Sequence, residues 1–146
     1  MMNDFPNKLS GQQPRWFALR LLIPVLWAGT ILWLSLTSSP PQPPGPLGWD
    51  KLQHAGAYGL LTLLLARMLT RLFHKPAGQA WLLAGVAAVG YGGLMEILQW
   101  VSYSGRTAEW GDLVADAVGA LITYVIFRHI GVLPWPGDKD TAERHG

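Results

Sequence analysis

The chain has 146 residues, of which 50% are apolar and only 14% are charged. Because soluble domains usually carry about 25% charged residues, this composition argues against an ordinary soluble domain. The net charge of +2 is too small to indicate a nucleic-acid-binding protein. The sequence contains no cysteine, which excludes disulfides, thiolate metal sites and cysteine nucleophiles.

Four apolar blocks follow one another along the chain, and each is close to the roughly 20 residues that a helix needs to cross a membrane. The blocks cover residues 16–36, 52–72, 79–101 and 113–132. None alternates with a period of two, and a membrane span must satisfy its own backbone hydrogen bonds. The sequence therefore predicts an all-α, integral membrane four-helix bundle over residues 16–133. Residues 1–15 and 134–146 are predicted to be polar tails.

The first block admits a second interpretation, a secretory signal peptide. Lys8, Arg15 and Arg20 lie before or at the start of its apolar stretch, as they do in such signals. The stretch is longer than a typical signal core, and no small-x-small site follows it cleanly. A retained membrane helix is therefore the favoured interpretation.

The lysines and arginines predict the orientation, because positive residues concentrate on the cytoplasmic side of a membrane. With a cytoplasmic N-terminus, all but two of the eleven lysines and arginines lie inside. The two outside are Lys51 and Arg106. We therefore expect a multi-pass plasma (inner) membrane protein with both tails, residues 1–15 and 134–146, in the cytoplasm.

Polar residues gather at the predicted extracytoplasmic face, where the second and fourth helices begin and the third ends. Spacings of three and four residues place those of each helix on one helix face. This polar cluster comprises Asp50, Lys51, His54, Tyr58, Glu96, Gln99, Arg106, Glu109, Asp112 and Asp116. Charged groups inside a membrane face the bundle interior or a water-filled cavity. Glu96 is expected to be either protonated or paired, with Arg106 or Lys51 as its partner.

The residue types leave several roles open for the polar cluster. Arg106 and Lys51 suit a phosphate or carboxylate group. Carboxylates beside His54 suit acid–base chemistry or an oxygen-rich metal site. Lys51 and Arg106 would repel a metal cation, and the sequence has no H-E-x-x-H motif, so we predict no metal site. Asp50 suits a helix cap as well as a ligand, and an ion-pair network that only fixes helix packing explains the same residues.

Glycines of the second and third helices are predicted to form packing surfaces, because small residues let membrane helices approach closely. They are Gly56, Gly59, Gly85, Gly90, Gly92 and Gly93.

The polar residues form one pattern across three helices. It reads Asp50-Lys51-x-x-His54-x-x-x-Tyr58, then Glu96-x-x-Gln99, Arg106, and Asp112-x-x-x-Asp116-x-x-Gly119. This pattern resembles the VanZ-like family of small four-helix membrane proteins, over about residues 20–130. The resemblance implies a cell-envelope role, linked in some members to lowered sensitivity to teicoplanin-type glycopeptides. The family pattern has an asparagine where this chain has Asp116.

We therefore expect a binding or enzymatic site for the polar head group of an envelope lipid or cell-wall precursor. In this interpretation Arg106 and Lys51 hold an anionic group. Protons are handled by Glu96, Asp112 and His54, and further ligand contacts come from Gln99, Tyr58, Asp116 and Asp50. One alternative is a non-catalytic membrane protein whose polar cluster only locks the bundle. A transporter is disfavoured, because the polar residues do not continue across the membrane.

Overall fold

The computed structural model describes residues 13–37, 49–102 and 109–130. These residues form four helices and no strand. The helices are α1 (Gln13–Leu36), α2 (Trp49–Leu72), α3 (Ala77–Val101) and α4 (Trp110–Ile130). The predicted all-α four-helix bundle is confirmed. Each helix begins two or three residues before its predicted start, because apolarity alone does not detect a polar first turn. The first turns of α2 and α4 carry Asp50 and Asp112.

Three of the described helices contain segments that are long and apolar enough to cross a membrane. These are Phe17–Leu36, Ala77–Val101 and Trp110–Phe127. At 24 residues, α2 has sufficient length, but its charged residues make it less apolar. It contacts α1, α3 and α4, and its contacts are the most extensive of the four helices. These contacts explain how a more polar helix fits the bundle, because its neighbours shield it from lipid.

The distribution of side chains is inverted relative to a soluble protein. Large apolar residues face outward, among them Trp33, Val86 and Leu121, which are 66%, 64% and 60% exposed. The polar residues buried in the described structure are Ser35, Thr62, Gln99, Asp112 and Asp116. An apolar exterior with buried polar groups is expected of a protein whose surroundings are lipid.

Helices α2 and α4 run parallel and approach closely through small residues. An added Cβ at Gly119 would collide with the backbone of Ala55. One turn further along both helices, an added Cβ at Gly59 would lie 2.7 Å from Thr123 Oγ1 and 3.1 Å from Gly119 O. Only glycine permits such proximity, as is typical of packed membrane helices. This contact sets the distance across which the two helices exchange polar groups.

The prediction for the glycines is only partly confirmed. Gly59 and Gly92 lie in tight contacts, whereas Gly56, Gly85 and Gly90 have open space at the Cβ position in the described structure. For these three the prediction was wrong. Glycine content indicates that a helix is able to pack closely, but it does not say which face of the helix does so.

Side-chain donors attach α1 to α2 and α3. Trp27 Nε1 donates to a carbonyl oxygen of α2 at 3.0 Å. From α3, the Tyr91 hydroxyl donates to Ala28 O at 2.8 Å, and the Gln99 amide donates to Ser35 O at 3.1 Å. Each bond satisfies a polar group that lipid would leave unpaired. The α1 helix is therefore part of the bundle, although it contributes none of the ionisable groups of the polar cluster.

Aromatic packing fills the opposite end of the bundle. Trp81 of α3 stacks on Phe127 of α4 with ring centroids 5.6 Å apart, and it meets Tyr124 edge-on at 6.3 Å. The guanidinium carbon of Arg67 lies 6.0 Å from the centre of the Phe127 ring. The described carboxylates of the polar cluster are thus separated from this end by apolar and aromatic side chains.

Candidate functional site

The close α2–α4 contact places His54 between two aspartates of α4. Asp112 and Asp116 are one helical turn apart and therefore project from the same face. His54 Nδ1 lies 3.0 Å from Asp116 Oδ1, and His54 Nε2 lies 3.6 Å from Asp112 Oδ2. The first distance is a hydrogen bond, whereas the second exceeds the usual hydrogen-bond range. The two nitrogens of one imidazole ring therefore have different partners at different distances.

Burial increases steadily along this group of side chains. The Lys51 side chain is 46% exposed, that of His54 is 16% exposed, and those of Asp112 and Asp116 are 8% and 1% exposed. Lys51 thus forms a rim that a molecule outside the protein is able to touch. His54 and Asp112 lie below the rim, and Asp116 lies beyond direct contact.

Lys51 is an ion-pair partner of two carboxylates at the rim. Its Nζ lies 3.4 Å from Glu109 Oε2 and 3.4 Å from Asp112 Oδ1. The hydrogen bond to Asp112 and the negative charge of that carboxylate raise the pKa of Lys51 above its ordinary value, so the ammonium stays charged. Gly111 makes room for it, because an added Cβ there would lie 2.9 Å from Lys51 Nζ.

Glu96 of α3 is tied to the segment that leads into α4. Its Oε2 accepts a hydrogen bond from the backbone N–H of Glu109 at 2.8 Å. The expected partner Lys51 instead pairs with Glu109 and Asp112. The other expected partner, Arg106, lies outside the described residues. Glu96 therefore fixes the start of α4 through a backbone hydrogen bond, and no local sequence pattern predicts such a bond.

Asp116 is enclosed on the side away from His54. Its Oδ2 is buried and has no hydrogen-bond partner among the described residues. That oxygen faces Gly92 of α3, where an added Cβ would collide with it and would lie 3.3 Å from Tyr58 Cε1. The Tyr58 ring stacks on the His54 ring with an interplanar angle of 11° and centroids 6.1 Å apart. A glycine on α3 is therefore required for the aspartate to occupy this position.

The structure brings together most of the residues that the sequence predicted for the site. The members joined by described contacts are Lys51, His54, Tyr58, Glu96, Glu109, Asp112 and Asp116. Asp50 lies in the first turn of α2, with a carboxylate oxygen near His54 and Asp112. Gln99 is directed to α1, where it donates to Ser35 O. Sequence reasoning assigned Gly92 to helix packing and gave Gly111 no role, although both adjoin charged groups of the site.

Among the described residues, Asp50, His54 and Asp112 have the geometry to hold a metal ion. One ligand atom from each lies within 4.8 Å of the others, and oxygen and imidazole donors suit zinc or manganese. The Lys51 ammonium opposes a second cation, because it already lies 3.4 Å from the Asp112 carboxylate. Negative charge in the first turns of α2 and α4 also compensates the helix dipoles, which gives both aspartates a role without a metal.

The apolar exterior, the buried polar groups and the membrane-length helices define an α-helical integral membrane protein. Residues 7–132 of the chain match the family model VanZ/LLP1. The chain therefore belongs to the VanZ-like family, as its polar pattern predicted. No curated protein and no solved structure was found to match the chain.

Proposed function

We propose that the polar cluster is a site, open to the extracytoplasmic face of the plasma membrane, that binds or modifies the head group of an envelope lipid or lipid-linked cell-wall precursor. The observation that carries the proposal is a gradient of exposure on two parallel helices. It runs from the exposed Lys51 ammonium through the mostly buried His54 imidazole to the buried carboxylates of Asp112 and Asp116. Lipid head groups lie at the depth of helix ends, which is where these residues are.

Incomplete pairing in the polar cluster favours a functional site over a purely structural one. Buried polar groups in proteins are nearly always hydrogen-bonded, yet Asp116 Oδ2 has no described partner and His54 Nε2 is 3.6 Å from its nearest carboxylate. Burying charges for stability alone is also ineffective, since apolar replacement of buried ion pairs is often neutral or stabilising.

The charges suggest how an anionic head group is held. Lys51 is exposed at the rim and offers an ammonium that suits a phosphate. Arg106 is a second predicted anion ligand, and it stays a prediction from the sequence. A phosphate at Lys51 would place the rest of a head group near His54 and Asp112, which are the groups suited to handle protons.

The second candidate function is structural. Each described ion pair of the polar cluster joins α2 to α4 or to the residue before α4, so the cluster is well placed to lock these two helices together. In this case the protein is a non-catalytic membrane component. The loss of any pair then lowers stability without the loss of a particular ligand.

Native mass spectrometry distinguishes the two candidates. We would purify the wild type with the Lys51→Ala, Arg106→Ala and Asp112→Ala variants from native membranes and record which lipids each retains. The control is Thr62→Ala, which alters a buried residue of α2 whose hydroxyl bonds only to Tyr58 O in the described structure. A lipid kept by the wild type and the control but lost by the three variants supports the site. Identical lipid adducts in all five proteins would leave only the structural role.

The cellular consequence that family membership suggests is altered sensitivity to teicoplanin-type glycopeptides. We expect production of the wild-type protein in a sensitive bacterium to lower that sensitivity and Asp112→Ala to remove the effect. Membrane levels of both proteins are measured in the same cells. Full protection by an Asp112→Ala protein at wild-type abundance would separate the phenotype from this site.

A further inference from the structure

The contact between Asp116 and His54 differs from the other polar contacts of the site because one partner is sealed from the outside. The Asp116 side chain is 1% exposed. One of its carboxylate oxygens faces Gly92, and the other lies 3.0 Å from His54 Nδ1. A head group at the rim therefore has no access to Asp116. The described hydrogen bond that leads from this aspartate toward a ligand runs through the imidazole.

The geometry distinguishes the two nitrogens of the imidazole. An ionised Asp116 accepts a hydrogen bond at the observed 3.0 Å, which places the shared proton on Nδ1. Nε2 lies 3.6 Å from Asp112 Oδ2, beyond hydrogen-bond range. With the ring neutral, the Nε2 lone pair is unengaged by the described residues. The hydrogen bond of one ring nitrogen commonly selects the tautomer in this way.

Neighbouring groups hold the ring in this orientation. Tyr58 is 2% exposed and stacks nearly parallel to the His54 ring. The α3 backbone at Gly92 lies close to both Asp116 and Tyr58. It therefore blocks movement of the Asp116 carboxylate toward α3. Rotation of the imidazole would exchange a nitrogen for a carbon opposite Asp116 and leave the buried carboxylate without its hydrogen bond. Such a loss is costly in a buried setting.

We propose that Asp116 is a positioning residue, which keeps the His54 proton on Nδ1 and thereby presents Nε2 to a hydrogen-bond-donating group of the ligand. The ligand part of this inference rests on the proposed function, whereas the tautomer part does not. The group that fits Nε2 is a hydroxyl or an ammonium. When a hydroxyl donates, its proton is shared with or passes to Nε2, and the oxygen gains the electron pair. Nδ1 keeps its own proton, and Asp112 and Asp116 balance the imidazolium charge.

Nitrogen NMR of the full chain, labelled with ¹⁵N-histidine, tests the tautomer directly. The sequence has four histidines, and the His54→Gln variant identifies the resonances of His54. With the ring neutral, we expect a protonated Nδ1 and a bare Nε2 in the wild type. Asp116→Ala should abolish that preference. Asp116→Asn should keep it, since the amide oxygen is able to accept the same bond. Thr62→Ala is the destabilising control and should leave the tautomer unchanged.

Three results would overturn the positioning role. One is a proton on Nε2 in the wild type. The second is an unaltered tautomer in folded Asp116→Ala protein. The third is a ring that stays doubly protonated at every pH at which the wild type remains folded, because Nε2 would then have no lone pair to offer.

Lipid competition tests the ligand class separately. Nanodiscs that contain equal amounts of phosphatidylethanolamine, phosphatidylglycerol and phosphatidylcholine offer an ammonium donor, hydroxyl donors and no donor respectively. We expect the wild type to retain one of the first two several-fold over phosphatidylcholine, and which one it retains identifies the donor. Asp116→Ala should lose the preference, and Thr62→Ala should keep it. Equal retention of all three lipids with a normal tautomer would refute the ligand class and leave the Asp116–His54 assignment intact.

Discussion

Among the described glycines, Gly119 makes the tightest backbone contact between α2 and α4. A substitution there should therefore affect the fold and the site together. The Gly119→Ala substitution adds one methyl group. That carbon would collide with the backbone of Ala55, so the obstacle is main chain and no side chain is able to rotate away from it. The two helices must separate, and the polar contacts that bridge them lengthen with them.

The expected magnitude follows from two contributions. Overpacking of a tight contact by one methyl group typically costs about 1–3 kcal/mol. Lengthening of the His54–Asp116 hydrogen bond, now 3.0 Å, adds about 0.5–1.5 kcal/mol. Together these contributions predict a loss of about 1.5–4.5 kcal/mol in the free energy of unfolding. The gain in helix propensity from glycine to alanine, up to about 1 kcal/mol in soluble helices, offsets part of it.

The matched control is Gly56→Ala in α2, the helix that Gly119 of α4 contacts. Its Cβ position has nothing within 4 Å, so the substitution should be neutral or should stabilise the helix slightly. Reversible unfolding of both variants and the wild type in the same detergent gives the difference. Gly119→Ala protein as stable as Gly56→Ala protein would refute the argument that backbone proximity sets the α2–α4 distance.

Three further predictions test the site, the attachment of α1 and the orientation. Gly92→Ala should destabilise the protein by about 1–3 kcal/mol and displace Asp116, because the new Cβ meets the Asp116 carboxylate. The control is Gly90→Ala, on the same helix, where the Cβ position is open. Equal unfolding midpoints of the two variants would contradict the contact. Gln99→Leu should lower the free energy of unfolding by about 1 kcal/mol in a denaturation experiment, since it removes a buried hydrogen bond to α1; an unchanged value would mean that α1 is held without it. The basic residues predict a cytoplasmic α2–α3 connection. Gly105→Cys should therefore react with an impermeant maleimide added outside intact cells, and Gly78→Cys should not. The chain has no other cysteine, so labelling reports on the introduced residue alone. The reverse labelling pattern would overturn the orientation and the compartment of the proposed ligand.

The membrane character and the helix count follow from the sequence, because both depend on local properties. An apolar block of about 20 residues suits a membrane-spanning helix wherever it occurs in a chain. The position of the polar residues along their helices was equally predictable. His54, Glu96 and Asp112 each lie near a helix end, and the alternation of helix direction brings those ends to one side of the bundle.

The partners of each polar side chain were decided only by the tertiary structure. Helix spacing grouped Glu96 with Gln99, yet Glu96 accepts a bond from Glu109, and Gln99 donates to α1. Charge alone left Arg106 or Lys51 as the partner of Glu96, whereas Lys51 pairs with Glu109 and Asp112. The sequence carries no record of how far each helix is rotated about its axis, and a rotation of about 100° replaces one residue by the next at a contact. That rotation is fixed by packing between residues distant in the chain, chiefly the glycine contact of α2 with α4, so the pairs follow from the fold and not from the local pattern.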